Sequence, residues 1–172
     1  MQVIEYEAPE PALTLDSIWH RARLGVATAI ASLDLPGLDR VYVLNVVDEA
    51  AIEAPCVIVS LEEGVEEEDA DGTTFEMDGV IYPVNVFVVD RGGITEHSRS
   101  PQWLGWRRKI ARHLRDLVGL TGVPECWDVR VKPMKCLTGA LKDQAFQWQA
   151  GGLVARCYTA EPRERHDTVA EG

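Results

Sequence analysis

The sequence predicts an α+β fold: two helices packed on a mainly antiparallel sheet of about five strands, in the order α-β-β-β-α-β-β. Three observations carry this. Val80 to Val89, VIYPVNVFVV, is apolar at almost every position and bounded by Asp78-Gly79 and Asp90-Arg91-Gly92-Gly93, the pattern of a strand buried on both faces. Two longer stretches carry apolar residues at three- and four-residue spacing, the pattern of amphipathic helices. The remaining apolar runs are short, β-branched and closed by turn residues.

The 172 residues suit one domain with arms, and 46% hydrophobic content supplies a core. Three parts are expected: an N-terminal arm over 1–13, a single domain over 14–161 containing an acidic loop over 62–78, and a disordered tail over 162–172. Gln2 to Glu7 alternates polar and apolar and is suited to a sheet edge. A helix capped by Thr14 or Asp16 is expected to run to about Leu33. Its stripe is Leu15, Ile18, Trp19, Ala22, Val26, Ala29, Ile30 and Leu33, with His20, Arg21 and Arg23 off that line. Asp34-Leu35-Pro36-Gly37 stops it.

Arg40 to Val47 and Cys56 to Leu61 are strands. Between Cys56–Leu61 and Val80–Val89 lies Glu62 to Asp78, with nine acidic residues and no Lys or Arg. Self-repulsion predicts a long mobile hairpin loop between antiparallel strands. Pro83 cannot donate to a ladder and is expected at the strand's entry or facing an unpaired side. Asn85 is read as a hydrogen-bonded core amide.

Ser100 and Pro101 start the second helix, which runs to about Val118. Trp103, Trp106, Ile110, Leu114 and Leu117 form its buried stripe, and Arg107, Arg108, Lys109, Arg112 and Arg115 line the other side. Trp127 to Lys132 alternates, with Trp127, Val129 and Val131 inward and Asp128, Arg130 and Lys132 outward. Phe146 to Thr159 is the last strand, and Gly151-Gly152 predicts a bend or bulge in it.

The chemistry is defined mostly by exclusion. With 17 Lys+Arg against 28 Asp+Glu, the formal charge is −11, which argues against a duplex-binding surface. No apolar run reaches transmembrane length, and the acidic N-terminus lacks the basic region of a secretory signal. Cys56, Cys126, Cys136 and Cys157 have no CxxC spacing and are read as reduced thiols in a cytosolic setting. P-loop, dinucleotide, zinc-protease and serine-hydrolase motifs are absent, so no catalytic, metal or cofactor residue is assigned. His113 is read as a surface or boundary histidine. The glutamate run is too solvated to supply a general acid.

The aromatic and basic residues of the second helix resemble a stacking platform for single-stranded nucleic acid, but Trp103 and Trp106 share the core stripe. Its arginines form either a solvated face or an interface. A basic helix face and an acidic loop on one chain pair between neighbouring copies, a heterologous contact of the kind that closes rings. The subunit-contact candidates are therefore Arg107, Arg108, Arg112 and Arg115 with Glu66, Glu67, Glu68 and Asp69.

The element order resembles that of the tail terminator (tail completion) proteins of long-tailed bacteriophages. The features that carry this are the leading helix ending at Leu35-Pro36-Gly37 and the strand pair PCVIVSLEEG to YPVNVFVVDRG. The W-x-x-W-R-R-K-I helix with the closing GGLVARCYTAEPR completes them. The likeness covers Asp16 to Arg163. It implies a virion protein without cofactor, assembled in the host cytoplasm. Such a protein forms a ring, commonly of six subunits, on the head-proximal end of the tail tube. Its partners would be further copies of itself, the tube protein and a head-completion or neck protein. Genome DNA would pass through the channel without specific binding, and no membrane is involved. Another head–tail connector or minor tail protein, and a small cytosolic enzyme with a scattered site, are the alternative readings.

Overall fold

The computed structural model describes residues 1–5, 17–44, 52–61, 66–91, 101–134 and 148–163. In chain order the elements are β1 (Gln2–Glu5), α1 (Ile18–Ala31), β2 (Arg40–Leu44), β3 (Cys56–Leu61), β4 (Glu67–Glu68), β5 (Met77–Arg91), α2 (Pro101–Arg115), β6 (Cys126–Pro133) and β7 (Trp148–Pro162). They form one seven-stranded sheet of order β1-β2-β3-β5-β7-β6, with β4 added to β5.

This corrects the expected fold. The class remains α+β, but the sheet is mixed, has seven strands, and begins with a strand rather than a helix. β1 pairs parallel with β2, and β2 parallel with β3; the remaining pairings are antiparallel. Parallel neighbours need a crossover. α1 supplies the first. The second leaves Ile52 and Ala54 buried on the face opposite the helices. The supposed arm is tied down at its start: Gln2 N donates to Asp39 O at 2.8 Å, and the Met1 ammonium to Ala31 O at 3.0 Å. Residues 6–13 lie outside the described residues.

The valine-rich strand is the middle of the sheet. β5 pairs along all 15 of its residues with β7, from Met77↔Pro162 to Arg91↔Trp148. Its even-numbered residues Tyr82, Val84, Val86 and Val88 face the helices, and Phe87 and Val89 join the smaller core of the other face. Pro83 falls in the gap between the residues paired with β4 (Val80, Ile81) and those paired with β3 (Val84 to Val89). On that flank a missing donor breaks no ladder bond, while on the other flank Pro83 lies opposite Arg156 of β7. Asn85 lies opposite Ser60, but its Oδ1 is buried without a hydrogen-bond partner among the described residues, contrary to expectation.

Gly151 and Gly152 make no bulge against β5, because the β5–β7 register runs unbroken through them. Glycine is required there by what lies above. A Cβ on Gly151 would sit 2.4 Å from the Trp103 ring, and one on Gly152 would sit 2.9 Å from Met134 Cβ. β7 also outlasts the expected end at Thr159 and reaches Pro162, and Arg163 N donates to Glu76 O at 3.0 Å. The remaining tail, 164–172, lies outside the described residues.

Ser17, not Thr14 or Asp16, caps α1, accepting from His20 N at 3.4 Å. Residues 14–16 are outside the described set. Arg23, read as off the buried line, is 3% exposed. It donates to Leu44 O at 3.1 Å and meets His20 Nδ1 at 2.7 Å, and burial lowers its pKa against the pull of Glu5. Trp19 Nε1 donates to Pro83 O at 2.8 Å, and Arg21 forms a two-pronged pair with Glu125 at 2.8 and 2.9 Å.

Candidate subunit-contact surfaces

α2 is amphipathic with a sharp division. Trp103, Trp106, Ile110 and Leu114 are buried, at the spacing of one helix face. Both indoles are pinned by hydrogen bonds, Trp103 Nε1 to Val88 O at 2.9 Å and Trp106 Nε1 to Pro36 O at 3.1 Å. They are core residues and offer no face to a nucleobase.

On the opposite side Arg108, Lys109, Arg112 and Arg115 are exposed, and among the described residues none of them makes an ion pair or a side-chain hydrogen bond. Arg108, Arg112 and Arg115 stand at i, i+4 and i+7, with Leu104 one turn earlier, so the four share a line along the helix. Leu104 is 45% exposed. Arg107 departs from the expected group. It is half-buried, and its Nη2 donates to Gly152 O at 3.2 Å, tying helix to sheet. His113 is half-buried on the same helix.

The acidic segment is more ordered than its composition suggests. Residues 62–65 lie outside the described residues, but Glu66 to Asp78 forms a built hairpin. β4 pairs with β5 through Glu67↔Ile81 and Glu68↔Val80. Asp69 N donates to Gly79 O at 2.9 Å. Asp69 O accepts from Gly72 N, Thr73 N and Thr73 Oγ1, each at 3.0 Å. Thr73 Oγ1 in turn accepts from Gly79 N at 3.0 Å. Thr74 and Met77 close the tip, with Thr74 N donating to Met77 O at 2.7 Å and Met77 N to Thr74 Oγ1 at 3.1 Å. Local backbone bonds from Asp, Thr and Gly outweigh the repulsion of exposed carboxylates, which water screens.

The four acidic candidates consequently have different roles. Asp69 is buried and organises the turn. Glu67 is ion-paired with Arg156. Glu66 and Glu68 are exposed, as are Asp71 and Glu76 near the tip, and among the described residues the side chains of Glu66, Glu68 and Asp71 make no ion pair or hydrogen bond. Phe75, also at the tip, is 75% exposed.

A third surface lies on the sheet face away from the helices. Trp127 was expected inward. A register shift between Cys126 and Asp128 keeps Cys126, Val129 and Val131 in the core and leaves Trp127 45% exposed. Its ring meets Tyr158 edge-on at 5.6 Å, and the Arg130 guanidinium lies 4.3 Å from the Tyr158 ring centre while bonding Asp128 at 2.8 Å.

Three of the buried groups, Cys56, Cys157 and Tyr82, are shifted toward their neutral forms. Burial pushes the Cys56 thiol up to about 12. The Cys157 thiol is raised by its hydrogen bond with Cys126 and by burial. The Tyr82 phenol is raised by burial and by Glu161, whose Oε1 accepts its proton at 2.7 Å. Among the described residues no three His, Cys, Asp or Glu side chains converge on a point that would hold a metal ion, and no helix is long and apolar enough to cross a membrane.

The spacing on α2 marks the basic stripe and sets Leu104 on its line, but nothing in the sequence pattern marks Trp127 as exposed. Phe75 has one available signal: it is the only aromatic residue in the acidic segment. The sequence matches no protein-family model and no curated protein.

Proposed function

We propose that this chain is a structural protein that assembles into a ring, caps the head-proximal end of a phage tail tube, halts its growth and joins the tail to the head-completion proteins. The observation that carries the assembly half of this reading is a separation of charge. Among the described residues, the four exposed cations of α2 and the exposed carboxylates of Glu66, Glu68 and Asp71 on the hairpin have no ion-pair or hydrogen-bond partner, and they stand on separate elements. The described residues of one copy leave both sets of charges unmatched, and a neighbour would supply the complement of each. Contact between two different surfaces is heterologous and closes into a ring when the rotation allows. The tail-end half rests on the resemblance of the LPG-ended helix, the strand pair and the W-x-x-W-R-R-K-I helix to tail terminators.

Particles assembled without the protein test the role directly. Over-long, headless tubes under the electron microscope are the expected result. Tails of normal length that fail to join heads would instead assign a different neck component, and infectious particles would reject both. Charge exchange tests the contact: Arg108→Glu and Glu68→Arg should each weaken self-association, and the double variant should recover part of it only if the two charges face each other across copies.

A further inference from the structure

We infer that Gly105 opens a notch in the basic face of α2, and that a carboxylate from the hairpin of a neighbouring copy seats in it. The inference rests on the ring reading and names where on α2 the neighbour is held. Nine glycines lie among the described residues, and eight of them are accounted for within the chain. Gly37, Gly119 and Gly122 have positive φ. A Cβ on Gly25, Gly72, Gly79, Gly151 or Gly152 would come within 3.1 Å of another atom. Gly105 has neither reason. It is exposed, and apart from the helix backbone and its chain neighbours no atom lies within 4 Å of the place a Cβ would take. Glycine inside a helix weakens it relative to almost any residue but proline, and no contact within the chain depends on it here.

The surroundings identify what the notch takes. Arg108, Lys109 and Arg112 stand at i+3, i+4 and i+7 from Gly105 and are exposed, so the four share one face of the helix. Helical side chains lean toward the helix N-terminus, which carries the stems of Arg108 and Lys109 back toward Gly105 without filling the space above it. Leu104, 45% exposed, borders the same space. An anion lying there rests on the helix backbone, with cations on one side and an apolar wall on another. On an open surface an ion pair contributes little. Where the approach is close and water is partly displaced, the same charges attract more strongly. A side chain at position 105 would hold the anion away.

The occupant is a second copy because the complementary charge is on this chain. Glu68 and Asp71 are exposed on the hairpin, and among the described residues their carboxylates have no ion-pair or hydrogen-bond partner. The Asp69, Thr73 and Gly79 hydrogen bonds fix the backbone that carries them, so little freedom is lost on docking. By contrast Arg130 and Arg156, on the other face of the sheet, already hold Asp128 and Glu67.

Filling the notch separates fold from contact. Gly105→Ala should raise Tm by about 2–4 °C, and Gly105→Gln by somewhat less. In sedimentation equilibrium of the full chain Gly105→Gln should nevertheless weaken self-association about tenfold or more, and Gly105→Ala by a smaller factor. Neutralising the hairpin with Glu68→Gln and Asp71→Asn should weaken association too. Combined with Gly105→Gln, it should lose clearly less than the product of the two effects. Wild-type protein that stays monomeric to its solubility limit would overturn the inference. So would a Gly105→Gln chain that associates as wild type does, or two losses that simply multiply. Tail length separates this from the ring reading. Over-long tubes without the protein, together with unaltered association of the Gly105→Gln chain, reject the notch alone; normal tails without the protein reject the ring reading.

Discussion

Gly151→Ala sets two effects of opposite sign against each other. At an unhindered strand position, replacing glycine by alanine stabilises by about 0.4–1 kcal/mol, because the unfolded chain loses freedom. At Gly151 the new Cβ would lie 2.4 Å from Trp103 Cζ2 and 2.6 Å from Cη2. Ordinary carbon contacts are about 3.5–4.0 Å, so the indole must move by about 1 Å or more. It is fixed on the other side, where Trp103 Nε1 donates to Val88 O at 2.9 Å in the core. Overpacking costs about 1–3 kcal/mol, and loosening a buried hydrogen bond about 1–3 kcal/mol more. The net expectation is a loss of ~3 kcal/mol, which lowers Tm by roughly 6–12 °C for a chain of this size. Thermal unfolding followed by circular dichroism measures it. In a Trp103→Phe background the same change should cost less than about 1 kcal/mol, because the clashing ring is gone. A Tm within about 2 °C of wild type, or an equal loss in both backgrounds, would refute the packing account of these glycines.

Three further outcomes follow from particular contacts. Glu125, held below the ordinary carboxylate range chiefly by its hydrogen bond from Arg21, contributes stability that is present above its unfolded pKa and fades as pH falls through the folded one. Glu125→Gln should therefore destabilise by roughly 1 kcal/mol at neutral pH and not in acid, as pH-dependent urea melts would reveal. Cys56, whose thiol burial pushes up to about 12, should resist iodoacetamide in the folded chain at mildly alkaline pH and react on unfolding, which peptide mapping by mass spectrometry can check. Gly79→Ala should disrupt the hairpin tip through its clash with Asp69 O. Hydrogen exchange is expected to rise at the Asp69, Gly72 and Thr73 amides while the β5–β7 ladder stays protected.

The central strand and both helices were legible because their signals are one-dimensional: a β-branched run, and stripes at helical spacing. Topology was not, since a four-residue alternating run such as Gln2–Glu5 has the same pattern in a loose arm as in a parallel edge strand. What decides is α1 lying across the sheet between β1 and β2, a long-range fact. Composition misled within the acidic segment, where net charge suggested mobility but the order of Glu66 to Asp78 comes from a few backbone bonds at Asp69, Thr73 and Gly79. Strict alternation misled at Trp127, because a one-residue bulge reverses which side chains point inward. Among the contact candidates, the exposed arginines of α2 could be read from helical spacing. That Asp69 is buried and Arg107 is tethered to Gly152 O could not, because each depends on a partner far along the chain or on a turn that the sequence only hints at.

The long β5–β7 ladder also bears on the order of synthesis. β5 lies between β3 and β7, and β7 is the last strand among the described residues. When β5 leaves the ribosome, β3 is already made, but its other flank must wait for α2, β6 and β7 to be translated. Through that interval an unpaired, valine-rich edge is open to solvent, the kind of surface that recruits other strands. Closing it joins Met77 to Pro162 and Arg91 to Trp148, contacts of high sequence separation that form slowly. Yield on expression should thus depend on temperature and chaperone supply more than the stability of the finished fold would suggest, and a chain truncated before β7 should aggregate.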